Sequence, residues 1–283
     1  MLTYGVIDTE TTGMDHEADR LVEIACVRED GSFRHTLTNP GDRRISYGAM
    51  ATHHITPEMV QDAPDTLDAL ADVGLGMYPV ECETCRGLGL AQHKDGDEDD
   101  CPDCDGTGST GDRTIPDILV FHNAAFDRGF LPEWLRELPY ICTYRCSLHL
   151  YPAVESHSNG ALWYELGLQR PMPPEAGSMP HRALFDALMT RDILEWMIDL
   201  CLTDGTIVGY EEDADRTPAS AIKYLVWLSQ QPVLLTKCRF GKHRDSLWED
   251  IPSPYMEWVL GQEFDEDTKH TCRHWLRERG RML

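Results

Sequence analysis

Apolar and polar positions alternate in short runs through the first forty residues, and the runs predict strands over residues 2–7, 21–28 and 32–37, rich in β-branched and apolar side chains. Turn-forming residues separate them, as in a meander. Around Thr56-Pro57-Glu58-Met59-Val60 the pattern changes to a helix start, with Thr56 suited to cap, Pro57 to the first helical position and Glu58 to the positive helix end. The continuous apolar run Ile118-Leu119-Val120-Phe121 predicts a buried strand, followed by a helix from Ala124 to about Leu138 and a short strand at 140–143. Beyond the Pro-rich stretch 171–180, Ala183-Leu184-Phe185, Leu188, Ile193-Leu194, Trp196-Met197 and Leu200 recur at helical spacing. The order of elements is that of a mixed α/β unit closed by a long helix.

Two stretches break this pattern. Residues 80–113 are rich in Cys, Gly and Asp and carry no apolar periodicity, which marks an inserted module; residues 204–216 are acidic and read as a linker. The organisation expected is therefore one domain over 1–203 with the insertion at 80–113 inside it, a linker over 204–216, and a small C-terminal α+β domain over 217–283. No apolar run reaches the ~18 residues that cross a bilayer. The N-terminus lacks a basic segment and a small-residue cleavage site, so a cytoplasmic protein without membrane contact is expected. A reducing compartment favours metal binding over disulfides for clustered cysteines, and the six scattered ones (Cys26, Cys142, Cys146, Cys201, Cys238, Cys272) read as small buried side chains. The formal net charge of −24 weighs against a polyanionic partner, unless local cations such as Lys237, Arg239, Lys242, His243 and Arg244 form a track of their own.

Three short motifs carry chemistry. Asp8-Thr9-Glu10 lies at the end of the first strand, where residues two apart face one side and their mutual repulsion calls for a cation. Phe121-His122-Asn123-Ala124-Ala125-Phe126-Asp127 runs from a strand into a helix, with Asn123 placed to cap it and Asp127 one turn inside; His122 and Asn123 read as structural. His181-Arg182-Ala183-Leu184-Phe185-Asp186 puts a histidine and an aspartate at the start of the long helix. In this order and these contexts the motifs resemble those of the DEDDh (DnaQ-like) 3′-to-5′ exonucleases. Val22-Glu23-Ile24-Ala25, the segment 54–60, Ile141-Cys142-Thr143 and Ser158-Asn159-Gly160-Ala161-Leu162 resemble the exodeoxyribonuclease X branch of that family, as do Phe240-Gly241-Lys242-His243-Arg244 and Trp248-Glu249-Asp250-Ile251-Pro252 in the tail. The tail departs at Asp245, where similar segments carry Gly; aspartate suits that position if its φ is positive.

The resemblance implies an RNase H-like mixed sheet with flanking helices and a metal-dependent 3′-to-5′ exonuclease that releases nucleoside monophosphates from DNA in repair or replication. It further implies two Mg²⁺ or Mn²⁺ ions, roughly 3.5–4 Å apart, on Asp8, Glu10, Asp127 and Asp186, with His181 as general base. Asp8 would bridge the two ions, with Glu10 and Asp186 on the catalytic one and Asp127 on the other. Thr11 and Thr12 would offer backbone N–H groups to the 3′-terminal nucleotide, and Asn159, Lys242 and Arg244 would contact the strand. The same carboxylates serve RNA as well as DNA, so an exoribonuclease is the alternative; a non-catalytic binding module would require a broken carboxylate set.

Cys82-x-x-Cys85 and Cys101-x-x-Cys104 have the spacing of a four-thiolate site for one structural Zn²⁺, which leaves no open position for catalysis. The glycines after each pair (Gly87 and Gly89, Gly106 and Gly108) make the module similar to the Cys-rich domain of J-domain chaperones, with two repeats in place of four. Its acidity favours a protein partner over phosphate.

Overall fold

The computed structural model describes residues 2–76, 115–177, 180–203 and 216–280, and the backbone of 90–92 and 98–100. By their contacts the residues form two compact units: Met1–Tyr140 with Arg170–Arg191, and Ile141–Gln169 with Asp192–Leu283.

The first unit is organised by β1 (Tyr4–Thr11). This strand pairs antiparallel with β2 (Leu21–Arg28), which pairs antiparallel with β3 (Phe33–Leu37), so the expected meander is present. Helices α1 (Tyr47–His53), α2 (Pro57–Val60) and α3 (Thr66–Asp72) follow, then β4 (Leu90–Gln92) and β5 (Glu98–Asp100), a separate antiparallel pair within residues 80–113. Strand β6 (Ile118–Phe121) adds parallel to β1 on the side opposite β2, which makes β1 central. With neighbours on both edges, Tyr4 to Ile7 are all buried, and that explains the unbroken apolar start of the strand. The sheet is completed by β7 (Tyr140–Cys142), in the order β3-β2-β1-β6-β7. Thr56 precedes α2 without a side-chain capping bond, whereas Asp65 caps α3 by accepting from Leu67 N and Asp68 N.

The helix expected from Ala124 to Leu138 is instead two, α4 (Ala124–Phe130) and α5 (Glu133–Arg136). Pro132 explains the break: it forces the preceding Leu131 into extended backbone, φ −83° and ψ 153°. Asn123 enters α4 in the left-handed region, φ 67°, and makes no side-chain capping bond, unlike the expectation.

The second unit holds α6 (Thr143–Leu150), α7 (Asn159–Glu165), the later turns of α8 (Ala183–Thr203), α9 (Pro218–Leu228), α10 (Ser253–Leu260) and α11 (Glu266–Glu278). Arg145 ties α6 to the tail: its guanidinium grips Asp267 at 2.7 and 2.9 Å and donates to the carbonyls of Ser229 and Gln231. The expected boundary after residue 203 therefore falls inside this unit. Cys238, Trp248, Ile251, Met256, Val259, Cys272 and Leu276 form a hydrophobic core cluster within the tail. The tail was expected to be α+β, but among the described residues 216–280 the β component is a lone bridge between Lys237 and Leu247. Tight loop bonds replace a ladder there: Cys238 N to Ser246 O, Asp245 N to Cys238 O and Trp248 N to Thr236 O. Asp245 does take a positive φ, 68°. All six scattered cysteines are buried, and none of them is in a disulfide. Among the described residues no helix is long and apolar enough to cross a membrane. Cys82, Cys85, Cys101 and Cys104, and the linker at 204–215, lie outside the described residues.

Candidate active site

Asp8 and Glu10 are half-buried and alternate with the buried Thr9 and Thr11, so the two carboxylates share one face of β1. The first turn of α8 brings Asp186 to the same place, and ligand oxygens of Asp8, Glu10 and Asp186 lie within 4.8 Å of one another. Asp127, in the first turn of α4, is 3% exposed and is fixed by Thr9, whose N–H and hydroxyl donate to its Oδ1 at 3.0 and 2.7 Å. All four carboxylates line one cavity of about 630 Å³, together with Thr11, Thr12, His122, Asn123 and His181.

Burial sets the electrostatics of this cavity. It holds the Asp8 carboxyl well above the ordinary range, and Asp127, Asp186, Glu10 and Glu23 raise it further. Burial, followed by the charge of Asp186, pushes Glu10 up to about 8. Asp127 is pushed up to about 7 by burial against the opposing hydrogen bonds from Thr9, and Asp186 to about 6 by burial against the pull of His181. Four such groups in one space retain protons unless a cation replaces them. Their oxygen-only donor set fits a hard divalent ion, Mg²⁺ or Mn²⁺.

His181 is exposed and sits in the left-handed region, φ 62°, which is uncommon for a side-chain-bearing residue. Its backbone N–H faces the Asp186 carboxylate, 3.3 and 3.4 Å from the two oxygens, so the imidazole and the carboxylate are joined through one short segment.

Several supporting residues had no role assigned from the sequence pattern. Glu23 stands opposite Glu10 in the β1–β2 register and is 1% exposed. It accepts from Arg182 Nε and Nη2 at 3.0 and 2.7 Å and from Ala183 N at 2.9 Å, which ties the start of α8 to β2. A glutamate inside the apolar run Leu21-Val22-Glu23-Ile24 was the available signal, since carboxylates are rarely buried without a partner. His53 is buried beneath the cavity: its Nδ1 accepts from Ile55 N at 2.9 Å, which leaves the proton on Nε2 to donate to Thr11 O at 3.2 Å.

Thr12 departs from expectation. Its N–H donates to Arg20 O at 2.8 Å and its hydroxyl to Asp19 Oδ1 at 2.9 Å, so the N–H expected to meet the terminal nucleotide is consumed by the turn into β2. Gly13 allows that turn, because a Cβ there would collide with the Asp19 carboxylate. In the second unit, Asn159 begins α7, and Lys242 and Arg244 are exposed around the turn Gly241–His243, with Lys242 Nζ 5.5 Å from the Tyr255 ring centroid.

The family model described as Exonuclease (RNase_T) matches residues 6–78. Exodeoxyribonuclease 10 of Escherichia coli (strain K12) is 30% identical over 279 residues, which covers 96% of this chain and 97% of the relative. A DNA polymerase III subunit epsilon-like protein of Rhodobacter capsulatus is 32% identical over 206 residues, 68% of this chain and 23% of that protein. Among solved structures, Exonuclease X in complex with 5′ overhanging duplex DNA is similar at 31% identity and a TM-score of 0.48, over 71% of this chain and 93% of that one. By its full-length similarity to exodeoxyribonuclease 10, the chain belongs to the RNase_T exonuclease family.

Proposed function

We propose that the protein is a metal-dependent 3′-to-5′ exodeoxyribonuclease that hydrolyses the terminal phosphodiester bond of DNA to a nucleoside 5′-monophosphate and a shortened strand. The observation that carries this reading is the convergence of Asp8, Glu10 and Asp186 within 4.8 Å in a cavity that also holds Asp127 and His181. The full-length relative supports DNA as the substrate.

Asp8, Glu10, Asp127 and Asp186 would hold two Mg²⁺ or Mn²⁺ ions. When bound, such ions neutralise phosphate charge and make water a better nucleophile at neutral pH. His181 accepts a proton from the attacking water on its imidazole, while the leaving 3′-oxygen of the shortened strand takes up a proton and becomes the new 3′-hydroxyl. Asp186 accepts the His181 N–H and restrains the segment that carries the imidazole. Thr9 keeps Asp127 in place, and the Glu23–Arg182 pair holds the start of α8. Thr11, Asn159, Lys242 and Arg244 serve as strand contacts.

The reading also assigns one structural Zn²⁺ to Cys82, Cys85, Cys101 and Cys104 on their spacing, and a protein partner to that acidic insertion. It places the protein in the cytoplasm, in DNA repair or replication. The test is degradation of 3′-labelled single-stranded DNA, duplex DNA and RNA with Mg²⁺, Mn²⁺ or EDTA across a salt series. Mononucleotide release from DNA that requires the metal is expected; faster release from RNA would reassign the substrate, and release in EDTA would overturn the metal dependence.

A further inference from the structure

Two arginines reach the active cavity from the segment that leads into α1, Arg43 and Arg44. Arg43 is neutralised: its Nε donates to Asp19 Oδ1 at 2.9 Å and its Nη2 lies 2.8 Å from the same oxygen. Arg44 is exposed, and among the described residues no carboxylate pairs with it. Its guanidinium carbon instead lies 4.4 Å from the centroid of the Tyr47 ring, which is itself 75% exposed. The backbone under that ring is fixed, because Tyr47 is the first residue of α1 and the Ser46 side chain caps the helix by accepting Ala49 N at 3.1 Å. The cavity thus combines a floor of four carboxylates with an edge cation that no carboxylate among the described residues quenches, in a chain of net charge −24.

The chemistry of the substrate limits what this cation can meet. A DNA strand with a free 3′-hydroxyl carries a single phosphate on its terminal nucleotide, the scissile one, and every other phosphate lies on its 5′ side. The carboxylates and their metals take the scissile phosphate. A second phosphate that enters the same cavity is therefore the next one upstream.

We propose that Arg44 binds the phosphodiester immediately 5′ of the scissile bond, with Tyr47 as a positioning residue whose ring orients the guanidinium. This rests on the nuclease reading above and adds to it a substrate-length requirement. Arg44 contributes to binding of strands with at least two phosphodiester bonds and contributes nothing to shorter substrates.

The test compares wild type, Arg44→Gln, Arg44→Lys and Tyr47→Leu on three substrates: the p-nitrophenyl ester of thymidine 5′-monophosphate, a dinucleotide, and a long single strand in a salt series. The first two contain only the scissile phosphodiester. Arg44→Gln should leave kcat and KM on both short substrates unchanged, and raise KM on the long strand about tenfold with kcat held, as expected for one charge-assisted hydrogen bond. The dependence of log KM on log salt should become shallower by ~0.7. Arg44→Lys should keep the wild-type salt slope, and Tyr47→Leu should raise KM on the long strand about threefold, the size of an exposed cation–π contact. Because both side chains are exposed, melting temperatures should match wild type. An equal rise of KM on the dinucleotide, an unchanged KM on the long strand, or a loss confined to kcat would overturn the assignment. A wild-type protein inert towards all three substrates would overturn the nuclease reading itself.

Discussion

Replacing Arg182 with Gln removes the cation from a pair whose other member, Glu23, has 2% of its side chain exposed, against 32% for Arg182. Breaking a fully buried pair from one side costs ~3–5 kcal/mol, because the remaining charge is stranded away from water. Water reaches the Arg182 side of this pair, which places the expected cost at the lower end, ~2–3 kcal/mol. For a chain of this size each kcal/mol lowers Tm by ~2–4 °C, so Arg182→Gln should melt ~4–12 °C below wild type. Glu23 also adds to the charge that raises Asp8 and Glu10, whereas Arg182 lowers Glu10, so the variant leaves a fifth unquenched carboxylate beside the four. The double variant Glu23→Gln/Arg182→Gln removes both charges, while the amide oxygen introduced on β2 can still accept Ala183 N. It should therefore recover most of the lost stability, and the cycle should give a coupling well above the ~0.5 kcal/mol expected of independent sites. Calorimetric melts belong in EDTA, since a bound metal would stabilise each variant to a different extent. In Mg²⁺ the single variant should also lose about a hundredfold in kcat, because His181 and Asp186 sit on the segment it anchors. A Tm equal to wild type, or a double variant as unstable as the single, would refute the role given to this pair.

Other consequences are equally open to measurement. The metal-free protein should lose stability as pH rises from about 4, where unfolded carboxylates release their protons, to about 8, and most steeply below about 6: the folded carboxylates of Asp186, Asp127 and Glu10, pushed up to about 6, 7 and 8, keep protons that the unfolded chain has already released. Melts from pH 5 to 9 in EDTA should show that decline and Mg²⁺ should flatten it; a flat metal-free profile would contradict the crowded-carboxylate picture. By the same logic Asp8→Asn should melt higher than wild type at pH 8 in EDTA. Thr9→Val deletes the 2.7 Å bond to Asp127 but leaves the backbone donor, so the Mg²⁺ concentration for half-maximal activity should rise severalfold, with a stability cost of about 1 kcal/mol read from the melt. Arg145→Ala removes a bidentate grip on Asp267 and two carbonyl contacts, and should destabilise the protein by ~2–4 kcal/mol in denaturant titration.

The sheet was readable in the sequence because its strands are either continuous apolar runs, as in Ile118 to Phe121, or alternations bounded by turns. The carboxylates were readable chiefly because their three motifs, in order and context, resemble those of a known family; strand alternation alone suggested only that Asp8 and Glu10 share a face. Three short helices were not: α1, α3 and α7 have seven residues each, about two turns, too few for a period of 3.6 to stand out, whereas the four-residue α2 was betrayed by Pro57 at its start. Pro132 was visible, yet apolar spacing on both sides of it suggested one helix where the chain makes two. The supports of the site were hidden for another reason. Glu23 meets Arg182 across 159 positions and His53 meets Thr11 across 42, and no local pattern encodes contacts that exist only once the sheet and α8 are in place. Asp245 shows the converse case: the glycine that similar segments carry there pointed to a positive φ, which the aspartate adopts.

The central claim is that the carboxylate cluster performs metal-dependent hydrolysis at DNA 3′ ends. Its most direct test is the initial rate of mononucleotide release from 3′-labelled single-stranded DNA in Mg²⁺ by Asp186→Asn beside wild type, both shown to be folded by their melts. The substitution preserves shape and removes one charge from the cluster. Release at the level of the enzyme-free control is the predicted result; release at the wild-type rate would contradict the account.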